Sequence, residues 1–186
     1  MAVRSVDLRG SLVADLSKGS LRSREDQALL AIPVDALGAA LGEGGPAAVN
    51  ALGNALGSAL EAPARAALET LDDASASDVA FAINAALARF GLGRVAFEQW
   101  GDALVARWES APANTGPLAE LCAAALARCL SALTETKAGA VVIESGSSLR
   151  VLVADESVCQ HVRSQQAKGA VKLTDVLATL SSEASS

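Results

Sequence analysis

The strongest constraint in this sequence is a pattern that occurs twice: an amphipathic helical stretch, a glycine, and two β-rich runs joined by a tight-turn dipeptide. The first copy runs from Asp78 to Trp108 with Gly101-Asp102 at the turn, and the second from Leu118 to Val153 with Gly146-Ser147. A helix that must bury one stripe and a hairpin that must bury one face satisfy each other by packing together. Two such units within 186 residues imply a single α+β domain, with an antiparallel sheet of about four strands packed by helices.

In the first unit Val79, Ile83, Leu87 and Phe90 recur at helical spacing, with Ser77 suited to the N-cap and Gly91 to the C-terminal stop. A two-residue turn at Gly101-Asp102 sets Gln99 opposite Leu104, Phe97 opposite Ala106 and Val95 opposite Trp108. Val95, Phe97, Leu104, Ala106 and Trp108 then share one face, so turn chemistry and hydrophobic alternation agree. In the second unit Leu118, Leu121, Cys122, Ala125, Cys129 and Leu133 line a helix, and Gly139 precedes the run from Ala140 to Glu144. Pairing across Gly146-Ser147 sets Ala140 opposite Val153, Val142 opposite Val151 and Glu144 opposite Leu149, which leaves one acid on an aliphatic face. Such a carboxylate is either paired, with Arg107 and Arg150 as candidates, or raised in pKa, or it lies at the strand's end and reaches water. The two units are alike in pattern and not similar enough in sequence to be called a duplication.

Residues 1–27 read as an arm; Val3, Val6 and Leu8 suit an extended segment, while Leu8, Leu12 and Leu16 suit a weak helical stripe. The domain proper is expected over 28–180. Its first part, from Leu29 to Leu60, has helical spacing, with Pro33 in the first turn and the cluster Gly42 to Pro46 dividing it into two helices. Gly53 and Gly57 lie four apart on one face, where another backbone can come close: a helix of the same chain, or a dimer seam. Pro63 marks the end of that helix, and the stretch from Asp72 to Ser77 reads as an acidic loop. After Val153, the segment from Asp155 to Lys168 reads as a helix capped by Asp155 and stopped at Gly169. A short helix from Leu173 to Leu180 and a disordered, Ser-rich tail at 181–186 complete the expectation.

Composition narrows the function classes. Hydrophobic residues make up 51% of the chain and aromatics only 3%, with no Tyr, so the core is built from Ala, Leu and Val and holds few anchors for stacking a ligand. The net charge is −6, and Lys and Arg are scattered singly, which leaves no basic footprint for nucleic acid. Charges interrupt the apolar stretches before the roughly 18 residues of a membrane span, and the N-terminus lacks an apolar signal core. A cytoplasmic protein is expected. Cys122, Cys129 and Cys159 are odd in number and fit no disulfide framework, so they read as reduced core residues.

The strings AIPVDALGAAL, GNALGSAL, FGLGRVAFEQWGDALVARW and LRVLVADESVCQHVRSQQAKG, in this order and leading to VLATL, cover about Leu29 to Leu180. In order and spacing the chain resembles the 4-vinyl reductase (V4R) domain family, related to the Bet3-type subunits of the TRAPP tethering complex. The resemblance implies a helix-plus-antiparallel-sheet fold, a small-molecule sensor role, a dimer and, in many members, a zinc site. That site's ligands would be a cysteine in the helix before the second hairpin, a glutamate ending the next strand, and two cysteines around the following turn. Cys122 and Glu144 stand at the first two positions, but the turn reads Ser145-Gly146-Ser147-Ser148. With two soft ligands missing, a closed tetrahedral zinc site is incomplete, and the expectation is that no metal or other cofactor is held. The strings INAALARFGLGRV and DALVARWESAP are also similar to the D subunit of bacterial cellulose synthase, an oligomeric structural protein.

No catalytic constellation completes itself. His161 is the single histidine and sits beside Cys159; with Cys122 and Cys129 it makes a three-sulfur, one-nitrogen set whose spacings match no standard zinc module. There is no G-x-S-x-G elbow, no phosphate loop and no dinucleotide fingerprint. Asp72-Asp73 and Asp155-Glu156 sit where acids are solvated or capping. Trp100 and Trp108 fall on opposite faces of the first hairpin, so Trp100 beside the turn is expected to be exposed and a partner contact, together with the Gly53 and Gly57 face. The reading is a non-enzymatic module that homodimerises and serves as a sensor of a small hydrophobic ligand or as a protein scaffold. Its pocket would lie between helices and sheet, lined by Phe81, Phe90, Phe97, Trp108 and Cys122, with Glu144 as the acid. An oligomeric structural subunit is the alternative, and an uncharacterised hydrolase or reductase the third.

Overall fold

Local signals set most element boundaries in the computed structural model, which describes residues 12–15, 20–23, 28–29, 31–68, 74–100 and 103–168. Strands β1 (Leu12–Asp15), β2 (Ser20–Ser23) and β3 (Ala28–Leu29) form a small antiparallel sheet in sequence order. The described part of the arm is therefore extended, and Leu12 lies in a strand instead of on a helical stripe. Helices α1 (Val34–Ala66) and α2 (Ala76–Arg89) precede the hairpin β4 (Val95–Trp100) and β5 (Ala103–Trp108). Helix α3 (Gly116–Thr134) leads to the hairpin β6 (Ala138–Glu144) and β7 (Leu149–Asp155), and α4 (Glu156–Ala167) follows. The second sheet is antiparallel with strand order β4-β5-β7-β6, so the chain has the expected α+β fold. Asp72, Asp73, the turn Gly101-Asp102, Gly169, the segment from Leu173 to Leu180 and the Ser-rich tail lie outside the described residues.

The Gly42 to Pro46 cluster does divide α1: Gly45 leaves helical geometry at φ 67 and ψ −169, and Pro46 restarts the helix where its fixed φ costs nothing. Several boundaries differ from the sequence reading, among them β6, which begins at Ala138 and so contains Gly139. Pro63 lies within the last turn, and α1 continues to Ala66. The N-cap of α2 is Ser75, because the residue three beyond it is Asp78 and a reciprocal capping box forms: Asp78 N–H donates to Ser75 Oγ at 3.3 Å, and Ser75 N–H to Asp78 Oδ2 at 3.1 Å. From Ser77 the corresponding position is Ala80, which has nothing to return. At the other end Leu92 N–H reaches Leu87 O at 2.9 Å and Gly91 N–H reaches Ala88 O at 3.1 Å, a Schellman stop with Leu87 and Leu92 both buried.

The first hairpin has the register that alternation dictates: Val95 pairs with Trp108, Phe97 with Ala106, Gln99 with Leu104, and Trp100 with Ala103 across a two-residue connection. The second follows its expected register through Ala140–Val153 and Val142–Val151, then shifts at a bulge. Glu144 consequently faces Arg150 and not Leu149. Leu149 instead pairs with Trp108 on β5 and is fully buried. An unshifted ladder would have pressed a carboxylate against that apolar contact, a cost that one extra residue removes.

The sheet separates two cores. Its inner face carries Val95, Ala106, Trp108, Ala140, Leu149, Val151 and Val153 against α2, α3 and the end of α1. Its outer face carries Ala103, Val105, Val141 and Leu152 against Cys159 and Val162 of α4. A third cluster, Leu41, Val49, Leu118 and Leu121, joins α1 to α3. Helix α3 is long and apolar enough by length and composition to cross a membrane, with mean hydropathy 1.3. Here eleven of its residues are buried inside the protein.

Candidate functional site

Helices α1 and α3 run parallel and in step, because glycine removes the side chains that would hold them apart. A Cβ placed on Gly53 would meet Ala124 Cβ at 2.5 Å, and one on Gly57 would meet Arg128 Cβ at 2.5 Å. The glycine face is thus taken up within the chain by α3, the first of the two readings that its spacing left open. Side chains bond backbone groups on both edge strands of the sheet. Asn84 of α2 clamps β4 by accepting from Val95 N–H at 2.8 Å and donating to Val95 O at 2.9 Å. Ser131 of α3 does the same for Ala138 of β6, and from α4 Arg163 donates to Ala140 O at 2.6 Å and Gln166 to Val142 O at 2.8 Å.

Between these elements lies a groove of about 1120 Å³. One wall is α1 on both sides of its kink, with Leu41, Gly45, Pro46, Val49, Asn50 and Asn54. The floor is α3, with Pro117, Glu120, Ala123, Ala124, Ala127, Arg128 and Ser131. The far wall is the start of β6, from Lys137 to Ala140, with Glu156 and Arg163 of α4. Its ends differ chemically. Near the kink, Glu120 stands among Leu41, Pro46, Val49 and Pro117, and the opposite end holds Arg128 and Lys137. Glu156 is engaged by Arg163 at 3.0 Å and Arg128 by Ser58 Oγ at 3.2 Å, whereas Glu120, Asn50, Asn54 and Lys137 have no hydrogen-bond or ion-pair partner among the described residues. Although much of the Glu120 side chain is exposed, the enclosure of its carboxyl raises its pKa, and the Arg163 charge only partly opposes this.

The residues singled out from sequence are distributed otherwise. Trp108 and Cys122 are buried in the inner core, where Phe90 and Phe97 pack against them half-buried; Phe81 is half-buried on α2. The Trp108 indole N–H donates to Leu92 O at 3.0 Å, so its polar atom is already satisfied. None of these residues lines the groove. Glu144 is not among them: it sits beside the second turn, where Ser148 Oγ and Arg150 hydrogen-bond to its two carboxylate oxygens. Those bonds, the one from Ser148 first, hold its pKa below the ordinary value. Trp100 does lie on the face opposite Trp108, but it is half-buried against the outer core instead of standing free, because α4 covers that face.

The sheet also parts the cysteines. Cys122 and Cys129 belong to the inner core, and Cys159 to the outer one, with its thiol directed at Ala154 O. His161 is exposed on α4 beside Gln165. Among the described residues no group of three His, Cys, Asp or Glu side chains is placed to hold a metal ion. Burial pushes the Cys122 thiol up to about 12. Burial, with a smaller contribution from Glu61 and opposed by Arg65, pushes Cys129 up to about 11. Thiols held so far from ionisation are poor nucleophiles at neutral pH.

No protein-family model matches the chain. No curated protein matches it either. Among solved structures it is similar to the phenol-responsive sensory domain of the transcription activator PoxR, with phenol, at 14% identity and a TM-score of 0.59. The match covers 91% of this chain and 100% of that domain. At such low identity the likeness is one of fold.

Sequence reasoning missed the groove because its walls come from segments about 70 residues apart whose polar members, Asn50, Asn54 and Glu120, look like ordinary solvent-facing helix positions. Asn84 did leave a signal: an amide on a helix between Ile83 and Leu87, where a core-facing stripe calls for an apolar side chain.

Proposed function

We propose that the chain is a non-enzymatic ligand-sensing module of the V4R/Bet3 kind, which takes a small organic ligand into the groove and works as a homodimer. The groove carries this reading, set in a fold whose counterpart over its full length is a phenol-responsive sensory domain. Its volume is of the order of known ligand sites, and it combines an apolar end with a few unpartnered polar groups, the mixture that fixes a ligand's orientation. The absence of catalysis is supported by the raised pKa values of the buried thiols and by the exposed position of His161. A frame without zinc is supported by Glu144, both of whose oxygens already have partners. For the dimer, Ile32 and Val34, exposed by 50% and 42% where α1 begins, supply apolar surface. A structural subunit assembled through Gly53 and Gly57 is less favoured, since α3 occupies that face.

The test is a thermal-shift screen of small organic compounds, phenol included, on the parent and on Asn50→Trp, which fills the groove from an exposed position. A ligand at a hundred times its dissociation constant adds about 2.7 kcal/mol and raises the melting temperature by several degrees. The reading fails if no compound shifts the parent, or if Asn50→Trp responds as the parent does. Light scattering on Ile32→Ser/Val34→Ser should show loss of the dimer.

A further inference from the structure

The polar groups that α1 and α3 give the groove follow one axis; Glu120, Asn50 and Asn54 are unpartnered among the described residues, and Arg128 spends one donor on Ser58. Gly53 lies level with Ala124 and Gly57 with Arg128, so α1 and α3 keep a constant offset, and Asn50 and Asn54 fall between the levels of Glu120 and Arg128. Eight residues of helix separate Glu120 from Arg128, about 12 Å along the axis at 1.5 Å per residue. An extended chain advances about 3.3–3.6 Å per residue, so three to four residues span that distance. Asn50 and Asn54 are one helical turn apart, about 6 Å, close to the two-residue repeat of roughly 6.6–6.8 Å at which an extended backbone presents equivalent N–H and C=O groups. Each side-chain amide offers both a donor and an acceptor, the complement of a peptide unit.

The β6 wall cannot serve this role. Its carbonyls at Ala138 and Ala140 already accept from Ser131 and Arg163, so a ligand cannot join the sheet as a fifth strand without breaking them. Pairing is left to α1 and α3.

We propose that the groove binds a free, extended peptide of three to four residues, with its N-terminal ammonium at Glu120, its backbone against Asn50 and Asn54, and its C-terminal carboxylate at Arg128 and Lys137. This rests on the reading of the groove as the ligand site and names the ligand's class. The apolar lining at Leu41, Pro46 and Val49 takes small side chains without selecting among them. An ammonium beside Glu120 adds to the partial compensation that Arg163 gives its carboxyl. The raised pKa of that carboxyl reflects its enclosure, with Arg163 of α4 the nearest opposing charge and Glu156 already committed to Arg163.

The probe is tetra-alanine with free termini, titrated calorimetrically against the parent, beside its N-acetylated and C-amidated forms. Free tetra-alanine should bind, and blocking either end should weaken binding about tenfold or more. Glu120→Gln should weaken the free peptide by a similar factor yet leave the acetylated form unchanged, with Arg128→Gln and the amidated form behaving likewise. Asn50→Ala/Asn54→Ala should weaken all forms several-fold. Glu120→Gln removes an unpaired acid, so its melting temperature should equal or exceed the parent's, which excludes misfolding as the cause. The proposal is overturned if tetra-alanine does not bind while small organic compounds still do so in a manner abolished by Asn50→Trp; the ligand-sensing reading then survives without it. It is equally overturned if the doubly blocked peptide binds as tightly as the free one, since the groove would then take an internal segment of a partner chain. If neither peptide nor compound responds to Asn50→Trp, both readings fall together.

Discussion

The two hairpins start from the same plan and end differently. In the first, Val95, Phe97, Leu104, Ala106 and Trp108 share the inner face, the uncharged Gln99 beside the turn is exposed, and the strands pair without a shift. In the second the alternation carries an acid at its end, and the ladder breaks by one residue to bring Glu144 to Arg150. Arg150 needs that acid, because it lies directly opposite Arg107 of β5, a like-charge pair that is unfavourable unless each member has its own carboxylate. Arg107 has Glu98 at 3.0 Å and Glu109 at 3.6 Å; Arg150 has Glu144. Hydrophobic alternation therefore sets register up to the point where a charge would be buried, and there electrostatics decides.

The largest expected break concerns the glycines near the start of each hairpin. Gly93 has φ +86, and a Cβ there would run into the backbone carbonyl of Ser110, which cannot yield cheaply. Gly93→Ala should cost roughly 3–6 kcal/mol by adding left-handed strain to a backbone clash. Gly139 is the second residue of β6 in the second unit, and there a Cβ meets the end of Glu156 at 2.5 Å and Cys159 at 3.1 Å. A flexible side chain can move, so Gly139→Ala should cost only about 1–2 kcal/mol. Urea denaturation of both variants measures the contrast, and equal losses would refute it.

Next in size are the anchors. Trp108→Ala should cost about 3–5 kcal/mol and Leu149→Ala about 2–5 kcal/mol, from lost burial plus the cavity left behind. Because the two residues face each other across β5 and β7, the double variant should lose measurably less than the sum of the singles. Strict additivity in equilibrium unfolding would mean that the hairpins do not share one core.

Cys122 and Cys129 lie on α3, in the core that both hairpins share, and give a pH test of the same point. A thiol pKa raised in the folded state favours folding fully only below the unfolded value of about 8.5. That contribution is lost as pH rises toward 11 and 12, at up to about 1.4 kcal/mol per pH unit for each thiol. Stability measured between pH 8.5 and 11 should fall in a single transition, and replacing both cysteines by Ala should flatten the slope.

The smallest effect should come from Glu144→Gln, within about 1 kcal/mol, since its ion pair with Arg150 is partly solvated. The carboxyl's pKa is depressed on folding, so its contribution is present above the unfolded carboxyl value of about 4.3 and lost as pH falls through the folded one. The variant should lack this part of the acid limb.

Much of the fold was legible because it is written in short-range terms. The kink at Gly45, the Schellman stop at Gly91 and all of the first register follow from residues within a few positions of one another. Ser75 in place of Ser77 was a miss of the same local kind, recoverable from Asp78 three residues on. The site was not legible, for a different reason. Trp108 and Cys122, which looked like a pocket because they are the large or soft members of a small-residue core, are what closes that core.

The sequence by itself determined the helices, the hairpins, the inward faces and the point at which an acid had to be accommodated, because periodicity and turn chemistry act along the chain. Only the tertiary structure decided which arginine takes Glu144, that α4 covers Trp100, and that two glycines draw α1 against α3. It also placed Asn50, Asn54, Glu120 and Arg128 along one groove, since such proximity depends on the offset between packed helices, which no local pattern records.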